Sequence, residues 1–121
     1  MDLRTVLPCD ASSVGIARRL VRGELGPLAD PELIDAASLL VSELVTNAIV
    51  HARTDVGFHA AVGGGVFRAE VTDGNPTVPT PRRPSGLAGT GRGLQLIEQL
   101  ATRWGVTTSG TGKTIWFELA V

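Results

Sequence analysis

One uninterrupted stretch limits the possible folds more than any other. Asp30-Pro31 reads as a helix start, with a capping carboxylate followed by proline at the first helical position. From Glu32 to His51 there is neither glycine nor proline. At ~1.5 Å per residue that helix runs about 30 Å, enough to cross a domain. Such an element needs a core to lie on. The composition supplies one, with 43% hydrophobic residues and a mean hydropathy of +0.19, which excludes a disordered chain.

The other elements follow from periodicity. LRTVLP, residues 3–8, reads as a first strand ended by Pro8. Asp10 to Ser13 offer caps for a helix carrying Val14, Ala17, Val21 and Leu25 at helical spacing, stopped by Gly26-Pro27. VGFHAAV (56–62) and VFRAEVT (66–72) alternate around Gly63-Gly64-Gly65, a hairpin signal. A Pro- and Gly-dense run, DGNPTVPTPRRPSGLAGTGRG, comes next. LQLIEQLATRW (94–104) is read as a helix with Leu94, Ile97, Ala101 and Trp104 on one stripe, and TIWFELAV (114–121) as a closing strand. The order predicts one α+β domain over residues 1–121, a two-layer sandwich of helices over a mixed, largely antiparallel sheet.

Several function classes fall away. A net charge of −1 leaves no electrostatic footprint for nucleic acid. Cys9 is the only cysteine, so an intramolecular disulfide and a cysteine-based zinc site are excluded. No apolar run is read as approaching a membrane span and no signal peptide is seen, so the expected setting is cytoplasmic. SGTGKT (109–114) is not a P-loop, because position 107 is Thr and Ile115, Phe117 and Leu119 alternate as in a strand. GxGxxG fails because position 94 is Leu, and no GxSxG elbow exists.

Three features carry chemistry. In SELVTNAIVHA (42–52), Glu43, Asn47 and His51 recur every four residues, drifting about 40° per step on a regular helix, among the apolar Leu44, Val45, Ala48 and Ile49. The plain alternative is a solvated face. Asp73 continues the phase of Phe67, Ala69 and Val71, so it stands at the end of an apolar strand face and needs donors; equally, Asp73-Gly74 could simply start a turn. Gly86, Gly89, Gly91 and Gly93 run into a helix, an arrangement suited to a phosphate or to a hinge.

In this order the pieces resemble the GHKL (Bergerat-fold) ATPase superfamily, and within it the small bacterial anti-sigma-factor serine/threonine kinases. SELVTNAIVHA is the most specific part, supported by DGNP and GTGRGL. The resemblance implies ATP and Mg²⁺ as cofactors. It implies Glu43 as general base and Asn47 as a ligand of the Mg²⁺ that bridges the phosphates. Asp73, followed by Gly74, would accept from the adenine amino group. Gly89, Thr90, Gly91, Arg92, Gly93 and Leu94 would form the phosphate loop, and Thr114 would stand beside the adenine-binding Asp.

Two departures are visible. Asn75 stands where the family often has glycine, and Thr114 shares the parity of Trp116 and Glu118 rather than of Ile115, Phe117 and Leu119. His51 receives no chemical task. The implied partners are a sigma factor and an anti-sigma-factor antagonist, with a possible homodimer and no nucleic acid or membrane. The competing reading is a non-catalytic ATP-binding switch.

Overall fold

The computed structural model describes residues 2–27, 29–77 and 92–121, with the side chains of Arg92 and Gly93 excepted. Its elements are β1 (Asp2–Leu7), α1 (Ser12–Leu25), α2 (Pro31–Asn47), a π-helical turn (Ala48–Ala52), β2 (Val56–Gly63), β3 (Val66–Asp73), α3 (Arg92–Leu100), β4 (Arg103–Thr108) and β5 (Lys113–Ala120). The sheet order is β1-β2-β3-β5-β4, and every described pairing is antiparallel. This is the expected α+β architecture of helices over a sheet.

Local chemistry sets the boundaries. The Asp30 carboxylate accepts from the Leu33 amide at 2.9 Å, and Pro31 opens α2, as the sequence predicts. Gly64 and Gly65 turn the β2–β3 hairpin with φ of 61° and 76°, the left-handed pair of a type I′ turn. Arg53, at φ 58°, closes the π-helical turn, and its amide donates to the Ala48 carbonyl.

Strand alternation builds the core. Val56, Phe58 and Ala60 of β2, Phe67, Ala69 and Val71 of β3, and Ile115, Phe117 and Leu119 of β5 are all buried. Ala17, Val21 and Leu25 of α1, Leu40, Val41, Leu44 and Val45 of α2, and Leu94 and Ile97 of α3 complete it. Phe67 and Phe117 meet at its centre with ring centroids 6.0 Å apart.

The opposite sheet face is polar. Arg68 stacks over Trp116 at 4.0 Å and bonds Glu70 and Glu118 at 2.9 and 3.0 Å. Partial burial pushes the Glu70 carboxyl up, but hydrogen bonds from Arg68 and His59 outweigh it and hold Glu70 below its ordinary value.

Two expectations are corrected. The last helix ends at Leu100, and Trp104 lies in β4 opposite Phe117. Its inward side still packs on the core, which is why it continued the apolar stripe of the helix. The Thr102 amide donates to the Glu118 carbonyl at 2.9 Å, so the ladder to β5 takes the chain over from the helix. Next, α2 with its π-helical turn spans 22 residues, Pro31–Ala52, at a mean hydropathy of 1.6, long and apolar enough by composition to cross a membrane. The packing explains this apolarity differently, because Leu40, Val41, Leu44 and Val45 are buried against the neighbouring helices and the sheet.

Candidate functional site

Asn47 ends α2, and Glu43 lies one turn earlier on the same side. Glu43 is half-buried and Asn47 is buried. The Asn47 side-chain oxygen is one of two buried side-chain polar atoms without a hydrogen-bond partner among the described residues, the other being the Ser38 hydroxyl. An orphaned amide oxygen is costly inside a protein unless a ligand completes it. His51 does not join them. The helix widens into a π turn after Asn47, which breaks the four-residue repeat and leaves His51 exposed.

The chain beyond that turn ties the end of α2 to the end of β3. The π-helical turn packs on β3, and the Gly74 amide donates to the Thr54 hydroxyl at 2.9 Å. A Cβ on Gly74 would lie 3.0 Å from the Thr54 methyl, so the absence of a side chain permits this approach. Asp73 closes β3 on the inner face, buried at 7% exposure.

The donors that satisfy Asp73 are specific. The Lys113 ammonium lies 3.1 Å from Oδ1 and 3.0 Å from Oδ2, and it also donates to the Asn75 carbonyl at 2.9 Å. The Asn75 amide adds a bond to Oδ1 at 2.8 Å, and the Asn75 side-chain oxygen accepts from the Thr77 amide at 2.9 Å. Asp73 and Asn75 thus support two successive turns, each through its own side-chain oxygen. Gly112 lets β5 run close beside this corner. A Cβ there would stand 2.2 Å from the Asp73 carbonyl oxygen, so no other residue fits without movement.

Thr114 is placed elsewhere. It pairs with Thr72 in the β3–β5 register, and the two hydroxyls meet at 2.7 Å on the polar face, away from the core. No bulge turns it inward, and the residue beside Asp73 is Lys113, one position earlier. The parity of Ile115, Phe117 and Leu119 carried that signal. A groove of about 330 Å³ beside Thr114 is lined largely by hydroxyls, from Thr72, Thr107, Ser109 and Thr111 among others. Its lining also includes Asp73, Gly112 and Lys113, and Asn47 is not part of it.

The Leu94 side chain is buried in the core, so only its backbone is left to meet a ligand. Gly89, Thr90 and Gly91 lie outside the described residues, as does the Arg92 side chain; the backbones of Arg92 and Gly93 open α3.

The donor set suits a cation that arrives with its own oxygens. The described residues contain no cluster of three or more His, Cys, Asp or Glu side chains able to hold a metal alone. One orphaned amide oxygen beside a carboxylate fits Mg²⁺, which binds hard oxygens and keeps waters and phosphates in its shell.

Comparison with known proteins identifies the family and the fold. The family of histidine kinase-like ATPase domains matches residues 7–119. The fold is similar to that of the RsbU and RsbW domains of Rv1364c from Mycobacterium tuberculosis, with a TM-score of 0.78 and 23% identity over 99% of this chain. It is also similar to the histidine kinase domain of the blue-light activated histidine kinase of Erythrobacter litoralis EL346, with a TM-score of 0.59 and 25% identity over 93% of this chain. The chain spans 32% of the first structure and 61% of the second. No curated protein matches the sequence.

Proposed function

Because the chain belongs to the family of histidine kinase-like ATPase domains, we propose that it binds ATP with Mg²⁺ and works as a regulatory protein serine/threonine kinase. The observation that carries this reading is the buried Asn47 oxygen one turn from Glu43, without a partner among the described residues. Asn47 would hold the cation against the phosphates, and Asp73 would accept from the adenine amino group. Mg²⁺, when bound, supplies neutralisation of phosphate charge. Phosphoryl transfer asks the protein mainly for positioning and electrostatics.

In the transfer itself a substrate hydroxyl attacks the γ-phosphorus, the bond from phosphorus to the β–γ bridging oxygen breaks, and ADP leaves. Glu43 takes the hydroxyl proton. The backbone amides at the start of α3, where a helix leaves its first N–H groups unpaired, would serve as donors for phosphate. By the resemblance of SELVTNAIVHA, DGNP and GTGRGL to the anti-sigma-factor kinases, the protein substrate would be an anti-sigma-factor antagonist and a second partner a sigma factor, in the cytoplasm. Glu43→Gln tests the catalytic half of the proposal. Transfer from γ-labelled ATP to the antagonist should fall about 100-fold or more, the usual worth of a positioned base, while ATP binding persists. Undiminished transfer would remove Glu43 as the base. ATP binding with no labelled protein product in the unaltered chain would leave a non-catalytic switch.

A further inference from the structure

Lys113 stands where a nucleotide reading of the site needs vacancy. Asp73 is the acceptor assigned to the adenine amino group, and the Lys113 ammonium already lies on both of its oxygens, at 3.1 and 3.0 Å. Asp73 and Lys113 are each 7% exposed, so water competes little with the pair. The three bonding directions of the ammonium go to Asp73 Oδ1, Asp73 Oδ2 and the Asn75 carbonyl. Oδ1 is further taken by the Asn75 amide. A carboxylate offers about four acceptor positions, and this one has spent most of them on its own chain.

We infer that Lys113 is an internal competitor for the base: its ammonium occupies the acceptor that an adenine amino group would use, and a purine nucleotide must displace it to be read by Asp73. This rests on the nucleotide reading above and deepens it by naming what sets base selectivity. Two consequences follow. When the base carries no amino group, Lys113 retains Asp73 and little is lost. When Lys113 is removed, Asp73 becomes a buried carboxylate short of donors, and the amino group becomes its main partner. Selectivity for a 6-amino purine is therefore weak in the natural chain and strong without the lysine. The same displacement frees the Asn75 carbonyl, so base binding also loosens the turn after β3.

The experiment pairs a protein change with a ligand change. Calorimetry at saturating Mg²⁺ measures ATP against purine riboside 5′-triphosphate, which keeps the sugar and phosphates and lacks the 6-amino group. The natural chain is expected to bind the two within roughly threefold, and Lys113→Met to prefer ATP by about tenfold or more, the worth of a hydrogen bond to a charged group. Lys113→Thr, which withdraws the ammonium but keeps a hydroxyl, replaces Lys113→Met if that variant does not fold, with the same widening expected. A preference of tenfold or more for ATP in the natural chain overturns the inference, because Asp73 would then read the amino group with Lys113 in place. An equally small preference in the natural chain and the folded variant overturns it as well. Failure of the natural chain to bind either nucleotide is a different result, and it overturns the nucleotide reading together with this inference.

Discussion

Replacing Asp73 by Asn separates an ion pair that helps to hold the fold from one that merely decorates it. The substitution removes the charge from a group 7% exposed and leaves the Lys113 ammonium, equally buried, with the Asn75 carbonyl and one amide oxygen. Removing one partner of a buried pair costs ~3–5 kcal/mol, because the other charge stays desolvated and uncompensated. The Asn75 carbonyl, which still accepts from the ammonium, offsets part of this, so about 3 kcal/mol is expected. At this chain length that lowers Tm by roughly 10 °C. Asp73→Leu combined with Lys113→Met removes both charges and should recover to within about 1 kcal/mol of the natural chain, since apolar replacement of a whole buried pair is often neutral. Urea denaturation followed by the fluorescence of Trp104 and Trp116 measures all three proteins. If Asp73→Asn costs less than about 1 kcal/mol, or the double variant is no more stable than Asp73→Asn, the pair is not a coupled buried unit.

Two further predictions follow from single distances and one titration. Gly112→Ala places a methyl 2.2 Å from the Asp73 carbonyl and should cost about 2 kcal/mol or more, whereas Gly110→Ala, with nothing within 4 Å, should stay within about 0.5 kcal/mol in the same denaturation assay. Equal costs would refute the close approach. Glu70 is held below its ordinary value, so its contribution is complete above the unfolded value near 4.5 and is lost as pH falls through the lower folded value. The stability gap between the natural chain and Glu70→Gln should therefore be widest near neutrality and close on acidification below pH ~4.5, with a gap that grows in acid contradicting the Arg68 and His59 hydrogen bonds as its cause.

Much of this arrangement is legible in the residues, for identifiable reasons. Asp30-Pro31 and Gly64-Gly65 act through their own backbone chemistry, so α2 and the β2–β3 hairpin follow from local sequence. Asp73 reads correctly as the inward end of β3 because a strand's parity is rigid. The same parity points to Lys113 rather than Thr114 beside it, and a likeness between short motifs was a poorer guide there than alternation. Trp104 misleads because a core-facing residue early in β4 prolongs the apolar repeat of α3 past its end. The π-helical turn leaves no mark in the sequence. It depends on how the chain after Asn47 closes onto β3 through Thr54 and Gly74, a tertiary contact that no local pattern encodes. Gly112 is invisible for the same reason, since its need arises only from the Asp73 carbonyl on a neighbouring strand.

The proposed Mg²⁺-nucleotide site is built on the buried Asn47 oxygen and its surroundings. ATP titrated calorimetrically into the chain, with and without Mg²⁺, tests it most directly, alongside Asn47→Ala. Binding that strengthens with Mg²⁺ in the natural chain and loses that dependence in Asn47→Ala is the predicted result. No heat of binding at millimolar ATP in the natural chain, or an Mg²⁺ dependence that survives in Asn47→Ala, would contradict it.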